Sequence, residues 1–196
     1  LRESSPEKHE EYATQLTAGI QQSELIGRNE AEHEFGVDEL TSMVDNWSAH
    51  WDKQRGGPNR APKFPLPNNY QFLLRQAHLS GDDKTLEYVQ TTLNEMARGG
   101  IYDQVGGGFA RYSTDADWKV PHFEKMLYDN AQLISLYSEA YQKTGNEEYR
   151  RVAEQSIRFC ERELRDNSGA YYSALDADSE GEEGKFYVWT EQELDS

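Results

Sequence analysis

GGIYDQVGGGFARYSTDADWKVPHFEKMLYDN, residues 99–130, joins one amphipathic segment to the next and is much longer and less polar than chain continuity alone requires. Glycines, aromatics, paired aspartates and a histidine in one helix-to-helix connection read as half of a binding site. The segments on either side of it are helical by periodicity, and the width of their apolar faces alternates. Residues 38–53 carry a narrow stripe (Val37, Leu40, Val44, Trp47, Trp51), 68–79 is apolar on several sides, 83–97 is narrow again, 122–143 is broad, and 147–165 returns to a stripe. A narrow stripe suits a helix with one face in water, and a broad one suits a helix enclosed by neighbours. The order is therefore outer, inner, outer, inner, outer.

The connections alternate with the helices. Inner-to-outer turns are tight (80–82 and 144–146), whereas outer-to-inner connections are long (54–67, 98–121 and 166–190). Short turns make antiparallel helical hairpins, so every long loop emerges at one end, above the N-termini of the inner helices. This predicts an all-α chain: a partial (α/α)6 toroid of antiparallel helical hairpins, with short β-hairpins in its long loops. Two of those loops repeat one another. GGGFARYSTDAD (106–117) and SGAYYSALDAD (168–178) share small residues, aromatics, Tyr-Ser or its near match, and a pair of aspartates, the mark of a repeated supersecondary unit. Residues 171–174 and 186–189 alternate as two strands joined by the acidic turn 176–184, and a fresh helix start stands at Thr190. Near the N-terminus, 7–26 has a weak amphipathic period interrupted by Gly19, and 27–36 reads as linker.

Composition bounds the function. The chain has 196 residues, 36% hydrophobic, and no apolar run approaching the roughly 18 residues of a membrane span. A formal charge of -16 repels nucleic-acid backbones and anionic membrane surfaces, so neither is an expected partner. One cysteine, Cys160, on the apolar stripe of its helix, is expected in the core; the absence of any pairing or zinc spacing points to a reducing, cytoplasmic setting. No signal-peptide pattern opens the chain, which reads as an excised piece of something longer.

Chemistry is expected in the long loops. Pro121 at a first helical position would place His122 and Glu124 in the opening turn of an inner helix, where a neutral imidazole serves as base or hydrogen-bonding group; local capping is the ordinary explanation for Glu124. Asp115 with Asp117, and Asp176 with Asp178, are i, i+2 pairs whose carboxylates point to one side of extended backbone. Paired carboxylates facing a cleft suit acid/base work on a sugar, and a solvated acidic turn is the plain alternative. Trp118, Tyr112 and Trp189 offer ring faces for stacking on sugars, with Arg111 beside them, and half of such aromatics can simply roof the barrel. Lys63 and Phe64, between the prolines of RAPKFP (60–65), are a candidate anion contact and a candidate ring contact. Residues 176–187 half-match a calcium loop but carry Tyr187 where a bidentate glutamate belongs, and the triple glycine 106–108 lacks the strand and spacing of a dinucleotide loop. No metal site and no cofactor are expected.

At APKFP (61–65), MARGGIYDQVGGGFARYSTD (96–115), VPHFEKMLYDNAQL (120–133) and GAYYSALDADSEGEEGKFYVW (169–189) the chain resembles the family of thioredoxin-domain-containing proteins typified by spermatogenesis-associated protein 20. The resemblance implies a thioredoxin-like domain upstream, residues 1–36 as the connector from it, and residues 37–196 as the N-terminal part of an (α/α)6 barrel similar to N-acylglucosamine 2-epimerases and six-hairpin glycosidases. Ala110 stands where many relatives have a histidine, which argues against an obligatory catalytic group there. The family hands over no settled reaction. Two functions follow as expectations: a carbohydrate isomerase or hydrolase working through His122, Glu124, Asp176 and Asp178, or a non-catalytic sugar- or protein-binding module serving the upstream domain.

Overall fold

The computed structural model describes residues 6–24 and 36–195. The chain divides into two units, residues 1–40 and 41–196. In the first, helix α1 (Pro6–Glu24) matches the expected amphipathic segment and leaves Tyr12, Leu16 and Ile20 exposed. The expected linker lies, but for Gly36, outside the described residues.

The second unit is built from helical hairpins. Helix α2 (Val37–Ser48) leads into it and contributes Val44 and Trp47 to the core. Helices α3 (Pro67–Ser80) and α4 (Asp83–Arg98) form one hairpin, α5 (Leu127–Thr144) and α6 (Glu147–Phe159) the next, and α6 runs on through a π-turn at Cys160–Leu164. Both tight turns use one device. A left-handed glycine ends the first helix (Gly81, φ 70°; Gly145, φ 69°), and an Asp or Asn side chain then caps the second. Asp82 accepts from the N–H groups of Lys84 and Thr85, and Asn146 from that of Glu148. Helix α3 packs on both α4 and α5, and α5 on α6, so α3 and α5 are the inner pair and α4 and α6 the outer. Between them Leu73, Leu93, Met96, Leu133 and Tyr137 are fully buried, with the Tyr137 hydroxyl donating to the Leu93 carbonyl at 2.7 Å. Cys160 is buried as expected.

The three long loops meet at the N-terminal end of the inner helices and are stitched together by short strand pairs. Strand β1 (Tyr112–Ser113) pairs with β2 (Pro121–His122) inside the second loop, and Lys63 of the first loop bridges to Ser113. Strand β3 (Lys125–Met126) pairs with β4 (Ala174–Leu175) of the third loop, which also closes its own hairpin, β5 (Asp178–Ser179) with β6 (Glu182–Glu183).

These pairings correct two expectations. Residues 121–126 are extended rather than the start of an inner helix, so Pro121, His122 and Glu124 do not occupy its opening turn; their backbone is engaged by β1 and β4, and α5 begins only at Leu127. Residues 171–174 and 186–189 are not partners, because Ala174 finds its ladder on β3 and the acidic turn pairs with itself. The capped helix at Thr190 is present as α7 (Glu191–Leu194), with the reciprocal Thr190 and Glu193 capping box.

Trp118 seats the second loop. It is fully buried, its indole N–H donates to the Arg55 carbonyl at 2.9 Å, and the carbonyl of Trp118 accepts from Gly100 N–H at 2.7 Å. Trp118→Ala is expected to lower the unfolding free energy by about 3–5 kcal/mol, read from urea midpoints at constant m-value; a loss below about 1 kcal/mol contradicts this role.

Candidate functional site

Where the first turns of α3 and α5 face the long loops lies a cup of about 190 Å³. Its floor comes from Asn68 and Asn69 in the first turn of α3 and from Asp129 and Gln132 at the start of α5; Phe64 and Arg111 form its walls. Pro67, with its fixed φ, opens α3 directly beneath Phe64. Among the described residues, none of Asn68, Asn69, Asp129 and Gln132 has a side-chain hydrogen-bond partner. The cup therefore offers three amides and a carboxyl group to whatever enters it.

Above the wall runs an aromatic stack. The Phe64 ring lies 4.7 Å from that of Tyr112, and Tyr112 lies 5.0 Å from the His122 imidazole, with interplanar angles of 26° and 23°. Strand pairing makes this stack, since Tyr112 and His122 are register partners and Lys63 bridges to the neighbouring Ser113. The imidazole is held from two sides. Its Nδ1 is 2.8 Å from a Glu183 carboxylate oxygen of the third loop, and its Nε2 is 3.8 Å from Glu124. Glu124 in turn accepts from the Arg111 guanidinium at 2.8 Å, while the Arg111 N–H donates to the Glu124 carbonyl, also at 2.8 Å.

Asp129 is the titratable group poised for proton transfer. Burial pushes its carboxyl up to about 6; Arg111 opposes the shift and Glu124 reinforces it. A carboxyl group in that range exchanges a proton near neutral pH, which is what general acid–base work requires.

Of the residues singled out from sequence, Phe64, Arg111, Tyr112, His122 and Glu124 come together here. Asp178 belongs to the same rim, since it is the register partner of Glu183, but its side chain is exposed, and Asp176 accepts the Asp178 backbone N–H at 3.2 Å. Asp176, Asp178 and the exposed Trp189 line a separate cavity of about 710 Å³, together with Lys125, and none of the three lines the cup.

Four expected ligand contacts, Lys63, Trp118, Asp115 and Asp117, are engaged within the protein. Lys63 is fully buried, with its ammonium 2.8 Å from Asp52 and 2.7 Å from the Gly56 carbonyl, which leaves nothing for an external anion. Trp118 is core. The Asp115 and Asp117 pair is a local turn: Asp115 accepts from the N–H groups of Asp117, Lys119 and Val120, and these hold its carboxyl below the usual range although burial raises it. Asp117 pairs with Arg55 and Lys119. Among the described residues, no group of three His, Cys, Asp or Glu side chains is arranged to hold a metal ion.

Two members of the site escape a sequence reading. With the inner helix started at 122, Asp129 falls in mid-helix; its place in the opening turn follows only from the strand pairing of 121–126. Glu183 reaches His122 through the register of β5 with β6, which the acidic composition of that turn does not encode.

The raised Asp129 carboxyl has a stability consequence. Between its ordinary value of 3.8 and about 6 the native state binds more protons than the unfolded chain, so stability falls as pH rises through that window and flattens above it. Urea titrations at stepped pH should show that slope, and Asp129→Asn should remove it; an unchanged slope in the variant contradicts the assignment.

No family model matches the chain. It is 47% identical over 154 residues to spermatogenesis-associated protein 20 of Homo sapiens, and 46% identical over the same length to that of Mus musculus; each match covers 74% of this chain and 20% of the relative. The chain thus spans about a fifth of the length of the curated relatives it matches. Among solved structures, a sugar epimerase from a ruminal bacterium matches with a TM-score of 0.63 at 19% identity, over 71% of this chain and 40% of that one. The cellobiose 2-epimerase of Spirochaeta thermophila matches at 0.61 and 23%, over 71% and 39%. A family 76 glycoside hydrolase from a bovine Bacteroides thetaiotaomicron strain matches at 0.58 and 16%, over 74% and 33%. At these identities the likeness is one of fold, that of the (α/α)6 barrel.

Proposed function

We propose that the cup between α3 and α5 binds a carbohydrate unit and that the rim supplies acid–base chemistry to it. The observation that carries this reading is the set of polar groups without side-chain hydrogen bonds among the described residues, Asn68, Asn69, Gln132 and Asp129, facing a hollow walled by Phe64. Amides and a carboxyl group bind hydroxyls, and a ring face covers the C–H side of a sugar. The sugar-acting proteins among the structural neighbours share the fold and support this reading by analogy. In this reading Asp129 exchanges the proton, His122 oriented by Glu183 is the second acid–base group, and Glu124 sets the field at both through Arg111. Asp176 and Asp178 serve at the rim, outside the reacting centre.

A second reading keeps the ligand and removes the reaction. His122 and Glu124 are each already engaged, by Glu183 and by Arg111, which suits a recognition surface as well as a catalytic one. Such a module would serve a thioredoxin-like domain upstream in a longer protein, in a reducing cytoplasmic setting.

Thermal unfolding of the purified protein with mannose, glucose, N-acetylglucosamine and cellobiose tests both. A bound sugar at about 100 times its dissociation constant should add about 2.7 kcal/mol of stability, and Asp129→Asn or His122→Ala should weaken binding about tenfold or abolish turnover. Binding without interconversion or hydrolysis selects the module. No stabilisation by any of the four sugars overturns the carbohydrate reading.

A further inference from the structure

Two long loops of different sequence close around a buried lysine in the same way. In the first, Asp52 accepts from the N–H groups two and three residues on, Gln54 and Arg55, at 3.0 and 2.9 Å. In the second, Asp103 accepts from Val105 and Gly106 at 3.0 and 2.7 Å. The other carboxylate oxygen takes a lysine ammonium at 2.8 Å in both, Lys63 for Asp52 and Lys125 for Asp103. The same ammonium donates to the carbonyl four residues past the aspartate, Gly56 at 2.7 Å and Gly107 at 3.0 Å. An aromatic face covers each charge: the Trp118 ring centroid is 5.5 Å from Lys63 Nζ, and that of Phe159 is 4.6 Å from Lys125 Nζ.

The seating matches as well. Gly56 (φ +65°) leaves no room for a Cβ against Thr92 of α4, and Gly107 (φ +77°) leaves none against the Gln155 backbone of α6. Each clamp thus presses its loop onto the outer helix of the hairpin that the loop introduces. Each lysine also stands next in sequence to a residue of the rim site, Phe64 after Lys63 and Glu124 before Lys125.

We propose that Lys63 and Lys125 are positioning residues of the cup: each ammonium locks one long loop and thereby fixes its neighbour, Phe64 or the His122 to Glu124 strip, at the edge of the site. The role rests on the reading of the cup as a ligand site; the fixing of the side chains does not. The third loop is an internal control. Asp166 also turns back on its own loop, accepting from the N–H groups two and four residues on, Ser168 and Ala170, but no lysine joins it, and Lys185 is paired with Glu180. There Phe186, the neighbour of Lys185, is 73% exposed, against 40% for Phe64.

The test reads side-chain reactivity without any sugar. Asp52→Asn and Asp103→Asn keep an acceptor for the loop N–H groups and remove the charge that holds the lysine; because this leaves a buried ammonium unpaired, Lys63→Met and Lys125→Met, which remove that charge itself, serve as the second variants, and the rates are read in whichever of each pair folds. In Asp103→Asn, ethoxycarbonylation of His122, followed by peptide mass spectrometry, should speed up about tenfold, the change that loss of one charge-assisted hydrogen bond implies, with His78 unchanged. In Asp52→Asn, nitration of Tyr112 should rise comparably, with Tyr172 unchanged. Folded variants with unaltered His122 and Tyr112 rates overturn the proposal and leave both lysines as structural ion pairs. Normal sugar binding in variants with raised rates also overturns their role at the cup. Absence of sugar binding in the unaltered protein counts only against the carbohydrate reading.

Discussion

A lysine ammonium taken out of water must find a carboxylate and further acceptors, or the fold loses several kcal/mol. This requirement governs the rim of the barrel. Lys63 has no exposed surface and Lys125 nearly none, so two loops must arrange themselves around two charges. The protein meets the demand with one carboxylate oxygen, one backbone carbonyl and an aromatic face in each case. The competition is visible in the titration of the partners. Burial drives the Asp103 carboxyl upward, and the Lys125 ammonium with the loop N–H groups brings it below its usual range; burial also lowers the Lys125 ammonium against the pull of Asp103. Replacing such a pair by apolar side chains of similar volume is often neutral or stabilising in proteins, so stability alone does not account for two of them. A directional, charge-specific contact fixes a loop in one conformation, and a rim that presents polar groups to a ligand needs that fixity.

The hairpins and their order were legible because helix periodicity, turn chemistry and loop length act locally. Asp82 and Asn146 behind their glycines, and the alternation of narrow with broad apolar faces, each report on a few consecutive residues. The common rim was legible from the same alternation of short and long connections. His122 and Asp178 share it, through Glu183.

What was hidden depends on pairing across the chain. The tract 121–126 carries Phe123, Met126 and Leu127 at spacings that suit a helix face, yet its backbone hydrogen bonds go to residues 112–113 and 174–175. A sequence window sees the spacing and not the distant partner. The same holds for Lys63 and Trp118. Each has the polarity or ring expected of a ligand contact, and each is spent inside the protein, Lys63 on Asp52 at the start of its own loop and Trp118 on Arg55 of the first loop. The repeat is a sharper case. Residues 106–117 and 168–178 look alike in sequence, but the atom-for-atom match joins the loops WDKQRGGP (51–58) and YDQVGGGF (102–109), which share little beyond one aspartate and two glycines. Those are the residues the geometry demands, a carboxylate that turns back on its own N–H groups and a backbone without side chains where it touches the outer helix.

The site inherits its chemistry from this arrangement. Asp129 stands in the first turn of α5, where free N–H groups favour a negative charge, yet its carboxyl is pushed up to about 6. Burial outweighs both the favourable end of the helix and the opposing charge of Arg111, whose guanidinium is bound to Glu124. The helical spacing puts Glu124 in the opening turn of the inner helix; in the structure Glu124 adds its negative charge to the upward push on Asp129. The extended path of residues 121–126, closed at its end by the Lys125 clamp, places Glu124 on Arg111 instead. The raised carboxyl of Asp129 is therefore a product first of its burial, and then of the balance between Arg111 and Glu124, more than of the residue's own place on its helix.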